Sequence, residues 1–182
     1  MKLSKIIVTV LCATMLVCAI GSTVPAIAAS QTPIGKNDFE IKIGKTNVNL
    51  TTCTVQEFSK AAKKKIKRDE GDRYVKASEG SFTFSVNEGF QYGQLSKKAV
   101  TARGIKIGST HEKLLEVYPA PIETWSDKNT YFYTFCAVKN FDEFNALKNN
   151  SIEQKIAWLA IEVNVSKKTN KVIEICIANH WG

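Results

Sequence analysis

Cysteine and histidine are the side chains of this sequence that could carry out nucleophilic chemistry. A thiol and an imidazole within hydrogen-bond reach of each other can act as the nucleophile and the base of a hydrolase. Cys136 and Cys176 lie in strand-like segments, and His180 follows the second of them. Such a pair would give a small hydrolase, but no third residue stands out to orient the imidazole. We therefore assign no catalytic residue and keep the Cys/His hydrolase as the alternative function.

Neither a metal nor a cofactor is expected. The sequence has no C-x-x-C pair, 2 histidines and no clustered carboxylates, which argues against a zinc site. Its glycines match neither Gly-x-Gly-x-x-Gly nor a lysine-containing phosphate loop. Outside the N-terminal segment the cysteines are Cys53, Cys136 and Cys176, an odd number that leaves a free thiol unless a partner supplies another. A Cys136–Cys176 disulfide would require adjacent strands with Cα atoms within about 7 Å.

The N-terminal segment has the pattern of an export signal. Lys2 and Lys5 precede an apolar run from Ile6 to Ile20, and small residues follow at alternate positions in Ala26-Ile27-Ala28. The apolar run is shorter than the roughly 20 residues of a membrane-spanning helix. We predict cleavage near Ala28, secretion of residues 29–182 as a single α+β domain, and no membrane span after cleavage. Cleavage would also remove two lysines from a chain of formal net charge +8.

The first half of that domain, residues 29–103, begins with a predicted hairpin. Phe39, Ile41 and Ile43 alternate with charged residues, and Val48 and Leu50 resume the alternation after a turn. Further along, alternation predicts a strand over 81–86 and another over 98–102, separated by an irregular segment at 90–96 that contains glycine. This half is therefore expected to hold a hairpin, a helix and strands.

The helix of the first half is predicted by a capping box formed by Thr54 and Glu57. Apolar residues at helical spacing continue to Ile66, which indicates about three turns packed on the hairpin. Its opposite face would be a solvated surface or a contact for an anionic cell-wall polymer. A nucleic-acid partner is not expected, because no aromatic side chains are interleaved for base stacking. The basic residues of this predicted face are Lys60, Lys63, Lys64 and Lys67, together with Lys65 and Arg68.

The second half, residues 104–182, is predicted as a helix and a four-stranded antiparallel sheet. Ser109 and Glu112 form a capping box, and the helix ends before Pro119. A further short helix begins at Asn140. The predicted strands cover 122–126, 130–138, 156–165 and 171–178. Alternation turns one set of residues toward the first of these helices: Leu159, Ile161, Val163, Ile173, Ile175 and Ile177.

The other face of this sheet is the predicted binding face. One face of an antiparallel sheet can stay in water, and aromatic side chains on it are favoured anchors for a protein partner. Ala160 and Cys176 share this face. Its candidate binding residues are Phe132, Thr134, Trp158, Glu162 and Glu174.

The stretch from Gly104 to Ala178 resembles a module of small exported bacterial proteins. In that module Gly-Ile-x-x-Gly-Ser/Asp leads a helix that ends near Tyr-x-x-Pro, and an antiparallel sheet follows. The module is similar to the repeat of the β-lactamase-inhibitor-protein-like fold, to that of small outer-membrane assembly lipoproteins, and to uncharacterised secreted proteins of spore-forming Gram-positive bacteria. The residues that carry the resemblance are Gly104-Ile105-Lys106-Ile107-Gly108-Ser109, Leu114, Leu115, Tyr118-Pro119-Ala120-Pro121 and Asn170-Lys171-Val172-Ile173-Glu174-Ile175.

The resemblance implies a fold whose members bind proteins and perform no chemistry. The chain departs from the pattern, because Pro119 replaces the usual glycine, residues 139–155 look inserted, and no lipid-anchor cysteine is present. Inhibitor and assembly roles are therefore not carried over. We expect an α+β protein with antiparallel sheet and helices on one face, built as one unit or two successive α/β modules. Its predicted function is non-catalytic binding or inhibition, with an extracellular protein or an anionic cell-wall polymer as partner.

Overall fold

The computed structural model describes residues 32–69, 71–85, 89–138 and 159–179. The predicted signal segment lies outside these residues, and so does the short helix predicted to begin at Asn140. Trp158 and His180 are outside them as well. The described elements are a 3-10 helix at Lys36–Phe39, two α-helices and ten strands. The α-helices are α1 (Val55–Ala62) and α2 (His111–Val117), and the strands are β1 (Glu40–Ile43), β2 (Thr46–Asn49), β3 (Lys67–Asp69), β4 (Asp72–Ala77), β5 (Gly80–Phe84), β6 (Phe90–Leu95), β7 (Glu123–Ser126), β8 (Thr130–Cys136), β9 (Leu159–Ser166) and β10 (Lys171–Asn179).

The strands form a hairpin and one large antiparallel sheet. β1 pairs with β2, and the other eight strands have the spatial order β3-β4-β5-β6-β10-β9-β8-β7. The sheet therefore consists of two four-stranded runs, joined where β6 pairs with β10. We call α1 with β3–β6 the first module and α2 with β7–β10 the second module. The predicted α+β class with antiparallel sheet is confirmed.

Both α-helices pack on the same face of the large sheet. In the first module the Phe58 ring from α1 lies 4.5 Å from the Phe82 ring, between centroids, and 5.4 Å from the Phe84 ring. In the second module the ring of Tyr118, which directly follows α2, lies 4.6 Å from the Phe135 ring, between centroids. The register places Phe82, Gly93, Ile177, Ile161 and Phe135 in one row across five strands. The two modules therefore share one apolar core.

Helix α1 is shorter than the sequence pattern predicted. Its N-terminus is the expected capping box of Thr54 and Glu57, but it ends at Ala62. Lys63 adopts a left-handed conformation with φ 52°, and the Lys64 amide donates to the Ser59 carbonyl at 3.1 Å. This hydrogen bond closes the last turn in the manner of a Schellman motif. The prediction that Lys63, Lys64 and Lys67 lie on one helix face is therefore wrong.

The strand predicted at 98–102 is wrong, and the segment predicted as irregular forms β6. The strand period is present from Tyr92 to Leu95, where exposed and buried residues alternate, but Gly93 obscured it. A Cβ on Gly93 would lie 2.8 Å from Cδ1 of Phe82, so glycine is required there because the Phe82 ring covers the strand. Residues 98–102 belong instead to the loop that leads to α2.

The second module agrees more closely with its prediction and differs at two positions. Thr110, not Ser109, caps α2 and accepts a hydrogen bond from the Lys113 amide at 3.2 Å. A β-bulge between Val172 and Glu174 breaks the alternation of β10. Val172 is consequently buried and Ile173 is 47% exposed, so the prediction that Ile173 faces the helix is wrong.

One arginine ties the loop between the modules to the N-terminal part of the domain. The Arg103 guanidinium donates two hydrogen bonds to the Asp38 carboxylate, at 2.5 and 2.9 Å. It also donates to the carbonyls of Val117 at 2.9 Å and Pro33 at 3.0 Å. The side chains of Arg103 and Asp38 are only 13% and 12% exposed. This bidentate pair holds the 3-10 helix against the end of α2.

Candidate binding face

The face of the large sheet turned away from α1 and α2, here called the second face, carries the predicted binding residues. Strand pairing aligns one row of its side chains across seven strands. In order, the row is Lys76, Ser81, Gln94, Cys176, Glu162, Thr134 and Glu123. The row is polar except for the buried Cys176, and it becomes acidic toward β7. The second module therefore presents carboxylates where the first module presents lysine and hydroxyl groups.

The largest aromatic feature of this face is a stack of two rings. Trp125 of β7 pairs with Phe132 of β8, and their rings lie 3.6 Å apart between centroids at an interplanar angle of 6°. Trp125 is 52% exposed, whereas Phe132 is partly buried. Phe132 thus supports one side of the indole and leaves much of it accessible. Such a rigid, amphipathic ring is the type of side chain that dominates the free energy of protein interfaces.

Glu174 is held between two amide side chains on neighbouring strands. Its carboxylate accepts a hydrogen bond from Gln94 Nε2 at 2.8 Å and another from Asn164 Nδ2 at 2.6 Å. These bonds connect β6, β10 and β9 across the junction of the two modules. Because both donors are neutral, the negative charge of Glu174 is oriented but not neutralised.

Thr134 lies between two carboxylate-bearing residues. Thr134 is directly opposite Glu123 of β7 on one side and Glu162 of β9 on the other. Residues directly opposite in an antiparallel pair have Cβ atoms about 5 Å apart, so both acidic side chains flank the threonine. Phe132 is two residues before Thr134 and lies on the same face. The structure therefore brings Phe132, Thr134 and Glu162 together and adds Glu123 and Trp125 to them.

The three cysteines that the structure describes are reduced, and their pKa values are raised. Cys53, Cys136 and Cys176 form no disulfide, and β9 separates the strands that carry Cys136 and Cys176. Burial raises the pKa of Cys176 to about 11, and the carboxylates of Glu174 and Glu162 add to the effect. Burial also raises the pKa of Cys136. Both thiols are protonated at neutral pH, whereas a nucleophilic cysteine requires a lowered pKa.

His111 lies on the helix-bearing side of the sheet, opposite to the second face. Its Nε2 lies 2.6 Å from the Tyr133 hydroxyl, and its ring stacks on Tyr131 with 5.2 Å between centroids. Burial lowers the pKa of His111. The neutral ring serves the packing of α2 on β8, and the sheet separates it from both Cys136 and Cys176.

The predicted basic residues surround the end of α1 but do not form a helix face. Lys60 lies in the last turn of α1, Lys63 and Lys64 close it, and Lys67 begins the edge strand β3. All four side chains are exposed. They form a cationic cluster at the opposite edge of the sheet from Trp125.

Trp125, Glu123, Tyr92 and Gln94 were not among the predicted site residues. A strand is predicted at 122–126, but extending the alternation of β8 across the turn would assign Thr124 and Ser126 to this face. The pairing of Trp125 with Phe132 and of Glu123 with Thr134 places Trp125 and Glu123 there instead. Tyr92 and Gln94 lie in β6, where the glycine hid the strand period. The Tyr92 hydroxyl lies 2.9 Å from the Cys176 sulfur. Trp158 lies outside the described residues.

Within the described parts of the chain, no helix combines the length and hydrophobicity needed to cross a membrane. The same residues contain no group of three or more histidine, cysteine, aspartate or glutamate side chains that could hold a metal ion.

Comparison with known proteins returned no match. No family model matches the chain, and no curated protein or solved structure matches it significantly.

Proposed function

We propose that this protein is secreted and acts by binding another protein through the second face of its large sheet, without catalysis. The observation that carries the proposal is the Trp125–Phe132 stack, in which a half-exposed indole is held rigidly on the sheet. Interface hot spots are enriched in tryptophan because a large ring is buried at a low entropy cost. The polar row beside the stack supplies the hydrogen-bonding groups that surround such an anchor.

The alternative, a hydrolase that uses Cys136 or Cys176 with His180, has weaker support. Burial raises the pKa of both thiols, which disfavours the thiolate that attacks a substrate. His180 lies outside the described residues.

The binding proposal is tested by capture and then by affinity. Residues 29–182 would be immobilised and exposed to proteins released from the surface of the source cells, with Trp125→Ala and Val100→Ala variants in parallel. Val100 is a matched control, since it is 44% exposed but lies in the loop before α2. A protein retained by the wild type and by Val100→Ala would then be purified for calorimetry. We expect Trp125→Ala to weaken its binding at least about tenfold, and an unchanged affinity would contradict the proposal.

Export is tested separately. N-terminal sequencing of the protein recovered outside the cells is expected to begin at Ala29, because Ala26-Ile27-Ala28 has the small residues required at the cleavage site. Recovery of the intact chain only from inside the cells would contradict secretion.

The cluster of Lys60, Lys63, Lys64 and Lys67 supports a second candidate function, retention on an anionic cell-wall polymer. Four exposed cations at one edge of the sheet favour such contact. About 1 M salt shortens the Debye length to roughly 3 Å and should release the protein from cells. Protein that stays bound at that salt concentration would contradict this candidate.

A further inference from the structure

A small region of the second face combines carboxylates with aromatic rings. Its members are Thr134 at the centre, Glu123 and Glu162 on either side, and the stacked rings of Phe132 and Trp125, and we call it the Thr134 site. Neighbouring strands are about 4.8 Å apart, so the backbones of Glu123 and Glu162 are about 10 Å apart, with Thr134 between them. A group seated over Thr134 would have a carboxylate on each side and an aromatic stack along its edge.

The charge of this region contrasts with that of the whole protein. The chain has a formal net charge of +8, yet Glu123, Glu162 and Glu174 lie together on the second face. The negative potential affects neighbouring groups. Burial is the largest cause of the raised pKa values of Cys176 and Tyr92, and the charges of Glu174 and Glu162 raise both further. A local potential opposite to the net charge selects for a cationic contact.

We propose that the Thr134 site receives an arginine or lysine side chain of the protein partner, an inference that rests on the proposed function. Carboxylates on both sides attract the cation, and a guanidinium has donors on several edges with which to reach them. The exposed indole of Trp125 offers a cation–π contact to that charge and an apolar surface to the residue beside it. A free metal ion would use the carboxylates but not the aromatic stack, so the arrangement fits a basic peptide segment better.

The inference is tested with two peptides that differ in one group. Acetyl-Gly-Leu-Arg-Leu-Gly-amide and its citrulline analogue have nearly the same shape, but only the first carries a charge. Each would be titrated into ¹⁵N-labelled protein while the amide signals of Thr134 and Glu162 and the indole signal of Trp125 are followed. We expect the arginine peptide to shift these signals and to bind at least about fivefold more tightly than the citrulline peptide.

Charge-neutral variants locate the effect. Glu162→Gln and Glu123→Gln should each weaken binding of the arginine peptide about two- to fivefold. Glu116→Gln is the matched control, because Glu116 is an exposed carboxylate on α2, and it should leave the affinity unchanged. Equal binding of the two peptides, or equal affinity in all three variants, would overturn the inference.

The outcome separates this inference from the proposed function. If neither peptide shifts the signals while Trp125→Ala still weakens binding of the captured protein, the cationic contact is wrong and the binding face stands. If Trp125→Ala also has no effect on that protein, both are wrong.

Discussion

The two modules share a topology but differ in the surface that they present. In the described residues each module consists of a helix followed by four antiparallel strands, and both helices pack on the same side of the joint sheet. The second face of the first module carries lysine, hydroxyl, amide and tyrosine side chains: Lys76, Ser81, Thr83, Gln94, Tyr74 and Tyr92. That of the second module carries the Trp125–Phe132 stack and three glutamates. The shared architecture therefore accounts for stability, and the difference between the surfaces accounts for the proposed binding. Recognition is expected to lie in the second module.

The largest expected effects come from removing the side chain that each helix buries in the shared core. Phe58→Ala removes a ring packed on Phe82 and Phe84, and should lower the free energy of unfolding by about 3 to 5 kcal/mol. Leu114→Ala makes the equivalent change under α2, where Leu114 is fully buried, and should cost about 2 to 5 kcal/mol. Urea denaturation followed by circular dichroism measures both values.

The same experiment tests whether the modules unfold together. Because β6 and β10 join them through one continuous core, each variant should still unfold in a single transition. Two separate transitions, with only one of them shifted by each substitution, would show that the modules are independent.

The next effect concerns Arg103, which lies between the modules. Arg103→Ala leaves the Asp38 carboxylate, only 12% exposed, without its bidentate partner. Loss of one member of a mostly buried ion pair should cost about 3 kcal/mol in the free energy of unfolding. Arg68→Ala is the control, since Arg68 is exposed on β3 and should change stability by no more than about 0.5 kcal/mol. Equal effects of the two substitutions would show that the pair contributes nothing.

The comparison of modules also shows what the sequence could predict. In the second module alternation and turn residues were sufficient, since β7, β8 and β10 lie where they were predicted. In the first module the run of lysines after Ala62 continued a helical pattern, but the left-handed Lys63 ended it. Strand β4 was not predicted at all. Local patterns succeed where each strand alternates cleanly and fail where tertiary packing decides the conformation.

The residues of the proposed binding face were predicted only in part, for a similar reason. Phe132, Thr134 and Glu162 were assigned from the alternation within their own strands. Their meeting with Trp125 and Glu123 depends on the register between β7 and β8, which is a property of the pair of strands. Ile173 was misplaced because a bulge shifts the alternation by one residue, and no residue type in β10 marks that bulge.

A substitution at Gly93 tests how closely the side chains pack where the two modules join. Gly93 pairs with Phe82 in the first module and Ile177 in the second, and a Cβ would lie 2.8 Å from Cδ1 and 3.0 Å from Cε1 of Phe82. Gly93→Ala should therefore lower the free energy of unfolding by about 1 to 3 kcal/mol through overpacking. Gly35→Ala, where no heavy atom lies within 4 Å of the added Cβ, is the control and should have little effect. A tolerated Gly93→Ala would mean that the Phe82 ring can move away without loss of packing.

The smallest expected effect depends on pH and distinguishes the two helices. The first residue of α1 is Val55 and that of α2 is His111, and both are buried. Because burial lowers the pKa of His111 in the folded state, the unfolded chain binds a proton more readily. Protonation below the unfolded pKa of about 6.5 therefore favours unfolding, and the stability present above that pH is lost as the pH falls toward the lower pKa of the folded state.

Urea denaturation at several pH values between about 7.5 and 5.5 measures this contribution. The wild type should lose stability across the range, and His111→Gln should lose less, because glutamine can still contact the Tyr133 hydroxyl but does not titrate. If the free energy of unfolding changes with pH equally in the two proteins, a group other than His111 is responsible for the acid sensitivity. A smaller slope in His111→Gln would instead locate the acid sensitivity of the fold in the second module, on the side of the sheet opposite to the proposed binding face.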